Sequence, residues 1–392
     1  MCVSVSNHPY RNVAIAAVHN TKQARTLPGY DNITLQLEAA LGVIAKAGLK
    51  PQDIDGVAAW EAGELIYDLG IGPAWASSMS IGIGAVLNAA NAVAAGAATS
   101  VLVVDGAAGE YTERDATAPW TRPENEFTQS VGMYTAVQFA LVARRHMEVY
   151  GTQPEHLARV AATIRNNGHM NPEAAYFGRG PYTVQDILDS RMIADPFHVL
   201  DCAMTSEGGC GLIVTTADRA LDMALPPAYI LGGSLDQYGP AYRHPPAWDL
   251  RSNAGDGPPL GFVGRRAAER AFSVAGLKPR DVDVCELYDA FSFEVIRQLE
   301  AFGFCGEGEG GPFVAEGNID IGGKLPSVTD GGLMSYNHSH TAQTLQRVGR
   351  AVLQLQGLCA TGQVRNAEVA LASNMGAGAM STHVILLGRE RP

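Results

Sequence analysis

The sequence predicts an α/β fold of two like halves, with a loop domain inserted into the first. Two observations carry this. Residues 47–55 read AGLKPQDID and residues 275–283 read AGLKPRDVD, identical at seven of nine positions. Each copy follows an amphipathic stretch (LQLEAALGVIAKAG or RRAAERAFSVAG) and leads into a short apolar run, VAAW or VCELY. The repeated unit is therefore helix, turn and strand. Two such halves imply a duplication, each half a mixed sheet with helices on its faces.

The remaining elements follow in order. A Gly-rich turn at 80–84 opens a helix to about residue 95, and a strand follows at 100–104. Residues 107–200 break the pattern: rich in Pro, Met, His and aromatics, they carry their own helices at 131–150 and 154–167 and read as the inserted loop domain. A second irregular stretch, 232–260, has Pro pairs at 245 and 258. The turn NHSH at 337–340 then opens a helix to about 355, followed by a strand at 368–372. The expected division is an N-terminal half at 1–230, a connecting loop at 231–262 and a C-terminal half at 263–392.

Composition narrows the function. A net charge of -12 argues against a nucleic-acid surface, which needs a basic stripe. The longest apolar stretch, 89–104, is interrupted by Asn91, Gly96, Thr99 and Ser100 and is shorter than the roughly 20 residues of a membrane span. No transmembrane helix is expected. Residues 1–20 lack the apolar core of an export signal, which predicts a cytoplasmic protein. Cysteines at 2, 202, 210, 285, 305 and 359 form no C-x-x-C pair, so they read as reduced, mostly buried thiols rather than a zinc ribbon.

Several motifs in fixed order now identify a family. The segments RHMEVYGT, DSRMIADPFHVLDCAMTSEGG, CELYDAFSFEVIRQLEAFGFCGEGEGG, GGLMSYNHSHTAQ and NMGAGA resemble the thiolase superfamily. The nearest branch is that of the sterol carrier protein X and lipid-transfer-protein thiolases. The resemblance implies a five-layered α-β-α-β-α fold of two pseudo-symmetric halves, a dimer or tetramer, and acyl-CoA substrates. The family's nucleophilic cysteine sits at the N-terminus of a buried helix, where the helix dipole stabilises a thiolate. Here that turn reads SSMSIGIG and offers Met79 and Ser80. Ser80 is either an unusual nucleophile or a small polar residue of the thioester pocket. The second family cysteine is replaced as well: Asn374 and Met375 precede the glycine-rich turn at Gly376. Asn374 and Gly376 are taken as thioester-binding positions.

The histidine of the family's G-H-P motif falls on His338, where the resemblance implies a place in an oxyanion hole at a helix N-terminus. Such a position favours a neutral imidazole. His340 has no inherited role and is either a pocket residue or a solvated loop histidine. Two histidines two apart lack the third protein ligand a metal needs, and no metal is expected. Tyr288 stands where the family has asparagine or histidine; its phenol is either an acid–base group or a satisfied core hydroxyl. Asp289 beside it is read as structural. Tyr336 and Asn337 replace small residues and are expected to line the binding pocket. Cys305 and Cys285 are read as structural, and the GEGEGG run lacks the Lys and Ser/Thr of a phosphate loop. Arginines 144, 145, 165, 179 and 191 are scattered and read mostly as surface charges.

A thioester pocket without either cysteine, but with tyrosine and a second histidine, resembles the thiolase-like aldolases that shorten steroid side chains. The implied reaction is retro-aldol cleavage of a β-hydroxyacyl-CoA without an acyl-enzyme. Tyr288 and His340 would serve as acid–base groups and His338 as the enolate stabiliser, with coenzyme A entering only as part of the substrate and no covalently bound cofactor. The resemblance also implies a homodimer and a small OB-fold, zinc-ribbon acyl-CoA-associated partner. The alternatives are a 3-ketoacyl-CoA thiolase or acyltransferase using Ser80, and a non-catalytic acyl-CoA-binding subunit.

Overall fold

A computed structural model describes residues 8–78, 82–109, 132–133, 135–237, 263–339, 342–374 and 381–392. The first half contains β1 (Val13–Asn20), α1 (Asn32–Lys46), β2 (Gly56–Ala58), α2 (Ala62–Leu69), β3 (Trp75–Ser77), α3 (Gly82–Ala94) and β4 (Ser100–Ala107). The region that follows holds α4 (Thr135–Tyr150), α5 (Pro154–Met170), α6 (Val184–Leu188) and a small antiparallel pair, β5 (Met192–Ala194) and β6 (Phe197–His198). Next come β7 (Gly208–Thr216), α7 (Ala217–Leu221) and β8 (Ala228–Gln237). The second repeat supplies α8 (Arg265–Ala275), β9 (Val284–Glu286), α9 (Ser292–Ala301), α10 (Gly310–Ala315), α11 (Ala342–Gln356), β10 (Val369–Asn374) and β11 (Ser381–Gly388).

The repeated turn does the same work twice. Lys50 and Lys278 each donate a backbone N–H at 2.8 Å to Asp53 and Asp281, closing the single 3-10 turns that begin at Pro51 and Pro279. The last aspartate of each copy then accepts the first amides of a neighbouring strand. Asp55 takes those of Thr99 and Ser100 at 2.9 and 2.7 Å, and Asp283 those of Glu368 and Val369 at 2.8 and 2.9 Å. Such charge-assisted bonds pin where a strand begins, and so fix the parallel pairs β2–β4 and β9–β10.

The strand order is β3-β2-β4-β7-β1-β8-β11-β10-β9. The run β2-β4-β7-β1 is repeated in reverse as β8-β11-β10-β9, and the two runs meet through only two residue pairs, Ala14–Tyr229 and Ile15–Ala228. One apolar cluster joins Ile83 and Val86 of α3 with Leu345 and Val348 of α11, and packs them on strand residues of both runs, such as Val101, Leu212, Ile230 and Ile385. The other gathers α1, α2, α8 and α9 on the opposite strand faces. Alternating strand residues thus feed a central helical layer shared by both runs and outer helices on the far face of each, the α-β-α-β-α order that the family resemblance implies.

Two expectations are corrected. Gly232 and Gly233 begin no irregular stretch; they lie inside β8. They are glycines because both faces are crowded: a Cβ would come within 2.3 Å of the Ala271 carbonyl oxygen or 2.5 Å of the Leu87 side chain. Among the described cysteines, all free thiols, only Cys210 and Cys285 are fully buried, while Cys202, Cys305 and Cys359 are half-buried.

Candidate active site

The site begins at the carboxyl ends of β9 and β10, which run parallel with Glu286 opposite Ala372. Two residues on, the Tyr288 backbone N–H donates to Ser373 Oγ at 3.2 Å and to Gln298 Oε1 at 3.3 Å, and Gln298 Nε2 donates back to the Tyr288 carbonyl at 2.6 Å. Gln298 of α9 thereby locks the backbone of Tyr288 beside the end of β10, and the tyrosine is buried to 7% exposure.

Asp289 carries the link to the histidine segment. Its carboxylate accepts the amides of Leu333 at 2.8 Å and Met334 at 3.1 Å, the first donors of a π-helical turn at Gly332–Tyr336. Gly332 sits at φ 55°, and a Cβ there would fall 2.2 Å from the same carboxylate, so only glycine admits the contact. Burial raises the Asp289 pKa to about 6, against the opposing charge of Arg347. Arg347 of α11, itself fully buried, binds Asp330 through two bonds of 2.8 Å and Glu286 at 3.3 Å. Burial, with Asp330 beside it, lifts Glu286 to about 7. Burial also opposes ionisation of Asp330, but the Arg347 charge and hydrogen bonds outweigh it and hold that carboxyl low. The Tyr288-bearing strand and the His338-bearing segment are thus clamped to one helix.

Beyond the π-turn the chain is held against the start of β7. His338 donates its backbone N–H to Ser206 Oγ at 2.7 Å, and its carbonyl accepts from the Ser206 amide at 3.3 Å. The Asn337 side chain donates to the Glu207 carbonyl at 3.1 Å and accepts from the Ser339 amide at 2.8 Å, so its amide positions the loop. Tyr336 is buried, its hydroxyl has no hydrogen-bond partner among the described residues, and burial pushes its pKa far above the usual phenol value.

The N-termini of α3 and α11 meet. Gly82, at φ 51°, abuts Thr344 so closely that a Cβ would overlap its Oγ1 at 1.7 Å. Two helix N-termini at one point concentrate positive partial charge and unsatisfied amide donors. Ser80 and His340 belong to the short segments that immediately precede these helices; they and Gly376 lie outside the described residues.

Beside the His338 segment opens a cavity of about 360 Å³, lined by Arg25, Tyr176, Arg179, Cys202, Met204 and Ser335 among others. Of the arginines the sequence read as mostly surface charges, 144, 145, 179 and 191 are exposed and one, Arg165, is not. Arg165 is buried and donates to the carbonyls of Leu200, Met334 and Cys202 at 2.7 to 2.9 Å, holding the cavity wall. Arg25 donates to the Tyr176 hydroxyl at 3.3 Å, and Arg179 lies 4.4 Å from the centre of the same ring. Among the described residues neither has a carboxylate partner. Sequence reasoning missed this pair because 154 positions separate its members. It also passed over Arg347, whose partners lie on other elements.

Burial raises the thiol pKa of all five described cysteines: Cys202 and Cys359 to about 12, and Cys210, Cys285 and Cys305 upward as well. A reactive cysteine needs the opposite shift.

Comparison with known proteins agrees with this picture. Residues 260–389 match the family described as Thiolase C-terminal domain-like. The chain is 33% identical to a steroid side-chain-cleaving aldolase of Thermomonospora curvata, over 96% of this chain and 98% of that protein. It is 34% identical to the 17-hydroxy-3-oxo-4-pregnene-20-carboxyl-CoA lyase of Mycobacterium tuberculosis, over 84% of this chain and 88% of that protein. Among solved structures, an "Ltp2-ChsH2(DUF35) aldolase" superposes with a TM-score of 0.83 at 30% identity, covering 96% of this chain and 98% of that one.

Proposed function

We infer the chemistry from one premise: the chain belongs to the thiolase superfamily. It is a CoA-dependent carbon–carbon lyase of that superfamily, and its reaction is retro-aldol cleavage of a β-hydroxyacyl-CoA. One observation carries the reading. Both cysteine positions of the family are given up, to Met79 and Ser80 and to Asn374, while every described cysteine lies elsewhere with its thiol pKa raised. Chemistry that proceeds without an acyl-enzyme fits such a site.

In the proposed step a base takes the proton of the β-hydroxyl and the Cα–Cβ bond breaks. Its electron pair moves to Cα, giving a CoA enolate, and the β-carbon leaves as a ketone or aldehyde. The enolate is then protonated at Cα. Tyr288 and His340 carry the proton transfers, and His338, preceding the N-terminus of α11, holds the enolate oxygen. Tyr336, Asn337, Asn374, Ser80 and Gly376 shape the thioester pocket. The substrate is a steroid or another branched side chain, the class that the names of the relatives in Thermomonospora and Mycobacterium indicate.

The CoA half enters through the cavity beside Ser335, where Arg25 and Arg179 supply the charge its phosphates require. The working assembly is a cytoplasmic homodimer joined by a small OB-fold, zinc-ribbon partner that completes the CoA site; the similarity to the solved Ltp2-ChsH2(DUF35) aldolase supports a second chain.

The test is to purify the chain alone and with candidate partners, and to offer β-hydroxyacyl-CoA and 3-ketoacyl-CoA thioesters. Products are followed by mass spectrometry, with Tyr288→Phe and His338→Ala as controls. Release of a ketone or aldehyde and a shortened acyl-CoA without added CoA is expected. A requirement for free CoA, or an acyl adduct on Ser80, would instead establish the thiolase or acyltransferase chemistry. No turnover in any combination would leave a binding subunit.

A further inference from the structure

Asn374 and His383 stand directly opposite each other in the antiparallel pair of β10 and β11, so their side chains share one face of the sheet. Alternation identifies the face. Ala370 and Ala372 of β10 and Ile385 and Leu387 of β11 all pack into the cluster built around α3 and α11, and Asn374 and His383 continue those two rows. Helix α11 leads back into the start of β10 and packs on it, which puts its N-terminus at the Asn374 end of the strand. That is where α3 and α11 meet at Gly82 and Thr344. Tyr288 is fixed at the same end through Ser373.

Both side chains are left with unmet hydrogen-bonding capacity. Asn374 is 5% exposed, and its Oδ1 is buried without a partner among the described residues; so is Nδ1 of His383. A buried polar atom left unsatisfied calls for an explanation, and a bound group is one. Burial lowers the His383 pKa to about 4, so the imidazole is neutral at physiological pH and offers one donor and one acceptor. Leu235, paired with His383 on β8 and on the same face, is exposed.

We propose that Asn374 and His383 form the wall of the reaction site that recognises the oxygen on the substrate's β-carbon. This rests on the aldol reading above and names the substrate feature it selects. His383, through its N–H tautomer, and the Asn374 side-chain amide, turned to present its NH2, donate to the β-oxygen as it becomes a carbonyl and leave its single proton to the base.

Binding tests this without turnover. The full chain, with its partner where one is needed and with Tyr288→Phe in every protein compared so that the ligand is not cleaved, is titrated with a β-hydroxyacyl-CoA and with the matching acyl-CoA lacking the hydroxyl. The Tyr288→Phe parent is expected to prefer the hydroxylated ligand by at least about ten-fold. Asn374→Ala and His383→Phe are each expected to erase most of that preference; His383→Phe, outside the thioester pocket, is also expected to keep affinity for the deoxy ligand within about two-fold, and for Asn374→Ala an unchanged thermal melt reports the intact fold. Equal binding of both ligands by the parent, or variants that keep the preference, would overturn the proposal. If a variant loses both ligands, Asn374→Ser and His383→Gln, which retain hydrogen-bonding groups, must restore deoxy binding with an altered preference; failure there also overturns it. Absence of aldol cleavage by the wild type would sink the reaction assignment and leave this recognition result standing.

Discussion

The two copies of the repeat diverge immediately after the aspartate that ends them. Counting from Asp55 and Asp283, Ala58 corresponds to Glu286, Trp60 to Tyr288 and Glu61 to Asp289. In the first half Trp60 is 60% exposed, and Glu61 is half-buried and bonded at 2.7 Å to Gln36 of α1. In the second half Tyr288 is 7% exposed, Asp289 is sealed from solvent, and Glu286 joins Arg347 and Asp330. The same turn therefore supports a surface in one copy and a buried charged framework in the other. Scaffold was kept and strand tips were changed, which is where an α/β sheet places its chemistry.

Removing the charge at the centre of that framework breaks the comparison most severely. Arg347→Met leaves Glu286 and Asp330 buried without their cation. A loss of about 3–5 kcal/mol is expected, enough to abolish cooperative folding in a thermal melt. Glu61→Gln, the nearest counterpart in the first half, is expected to shift stability by less than about 1 kcal/mol. Equal effects would mean that the asymmetry of burial has no energetic content.

Tyr288→Phe separates chemistry from packing. It keeps the ring and removes the hydroxyl, so kcat for aldol cleavage should fall by about 10²–10⁴-fold with the melting temperature little changed. Trp60→Phe at the corresponding place should leave kcat within a factor of about two. A tyrosine variant with normal kcat would return Tyr288 to the role of a core residue.

The two buried carboxyls also predict a pH signature. Burial raises Asp289 to about 6 and Glu286 to about 7, so the native state retains protons that the unfolded chain releases. Their contribution to stability is full below the ordinary carboxylate range and is lost as pH rises through about 6 to 7. Asp330, held low by Arg347, acts oppositely and loses its contribution as pH falls below the usual carboxylate range. Stability should therefore decline between about pH 5 and 7.5, and Glu286→Gln should flatten that slope. An unchanged slope in the variant would assign the decline to other groups.

How much of this was legible in the sequence follows from the range over which each feature acts. The LKP turn and the alternation of helix and strand are written in nine-residue windows, and they gave the order of the elements. Gly232 and Gly233 misled because glycine in a local window signals a turn, whereas here it answers to Ala271 and Leu87, residues remote in sequence. The Glu286–Asp330–Arg347 cluster had no local signal, since its members are 44 and 17 positions apart. His383 did leave a trace: it is the one charge-capable residue in the otherwise apolar-rich strand STHVILLG, on the row that faces inward. The family motifs located Tyr288 and His338 and read Asp289 as structural, but that its carboxylate joins their two segments became visible only with the fold.

The smallest predicted effect lies at the arginine pair. Arg25 and Arg179 both line the cavity and touch Tyr176, the first at its hydroxyl and the second over its ring, and neither guanidinium is tied to a carboxylate among the described residues, so a phosphate can occupy its fork. Both are exposed, and exposed charges contribute only about 0.2–1 kcal/mol apiece. Arg25→Ala and Arg179→Ala should each raise KM for the acyl-CoA by about two- to five-fold with kcat unchanged, and the difference from wild type should shrink as salt screens the interaction. The first-half copy offers the control: Trp60 and Tyr67 are exposed beside the acidic Glu61, Glu64 and Asp68, a surface that repels phosphate. Charge reversal there, Glu64→Lys, should leave KM alone. If it lowers KM as much as the arginine variants raise it, the CoA phosphates respond to the net charge of the molecule, and the cavity has no special claim on them.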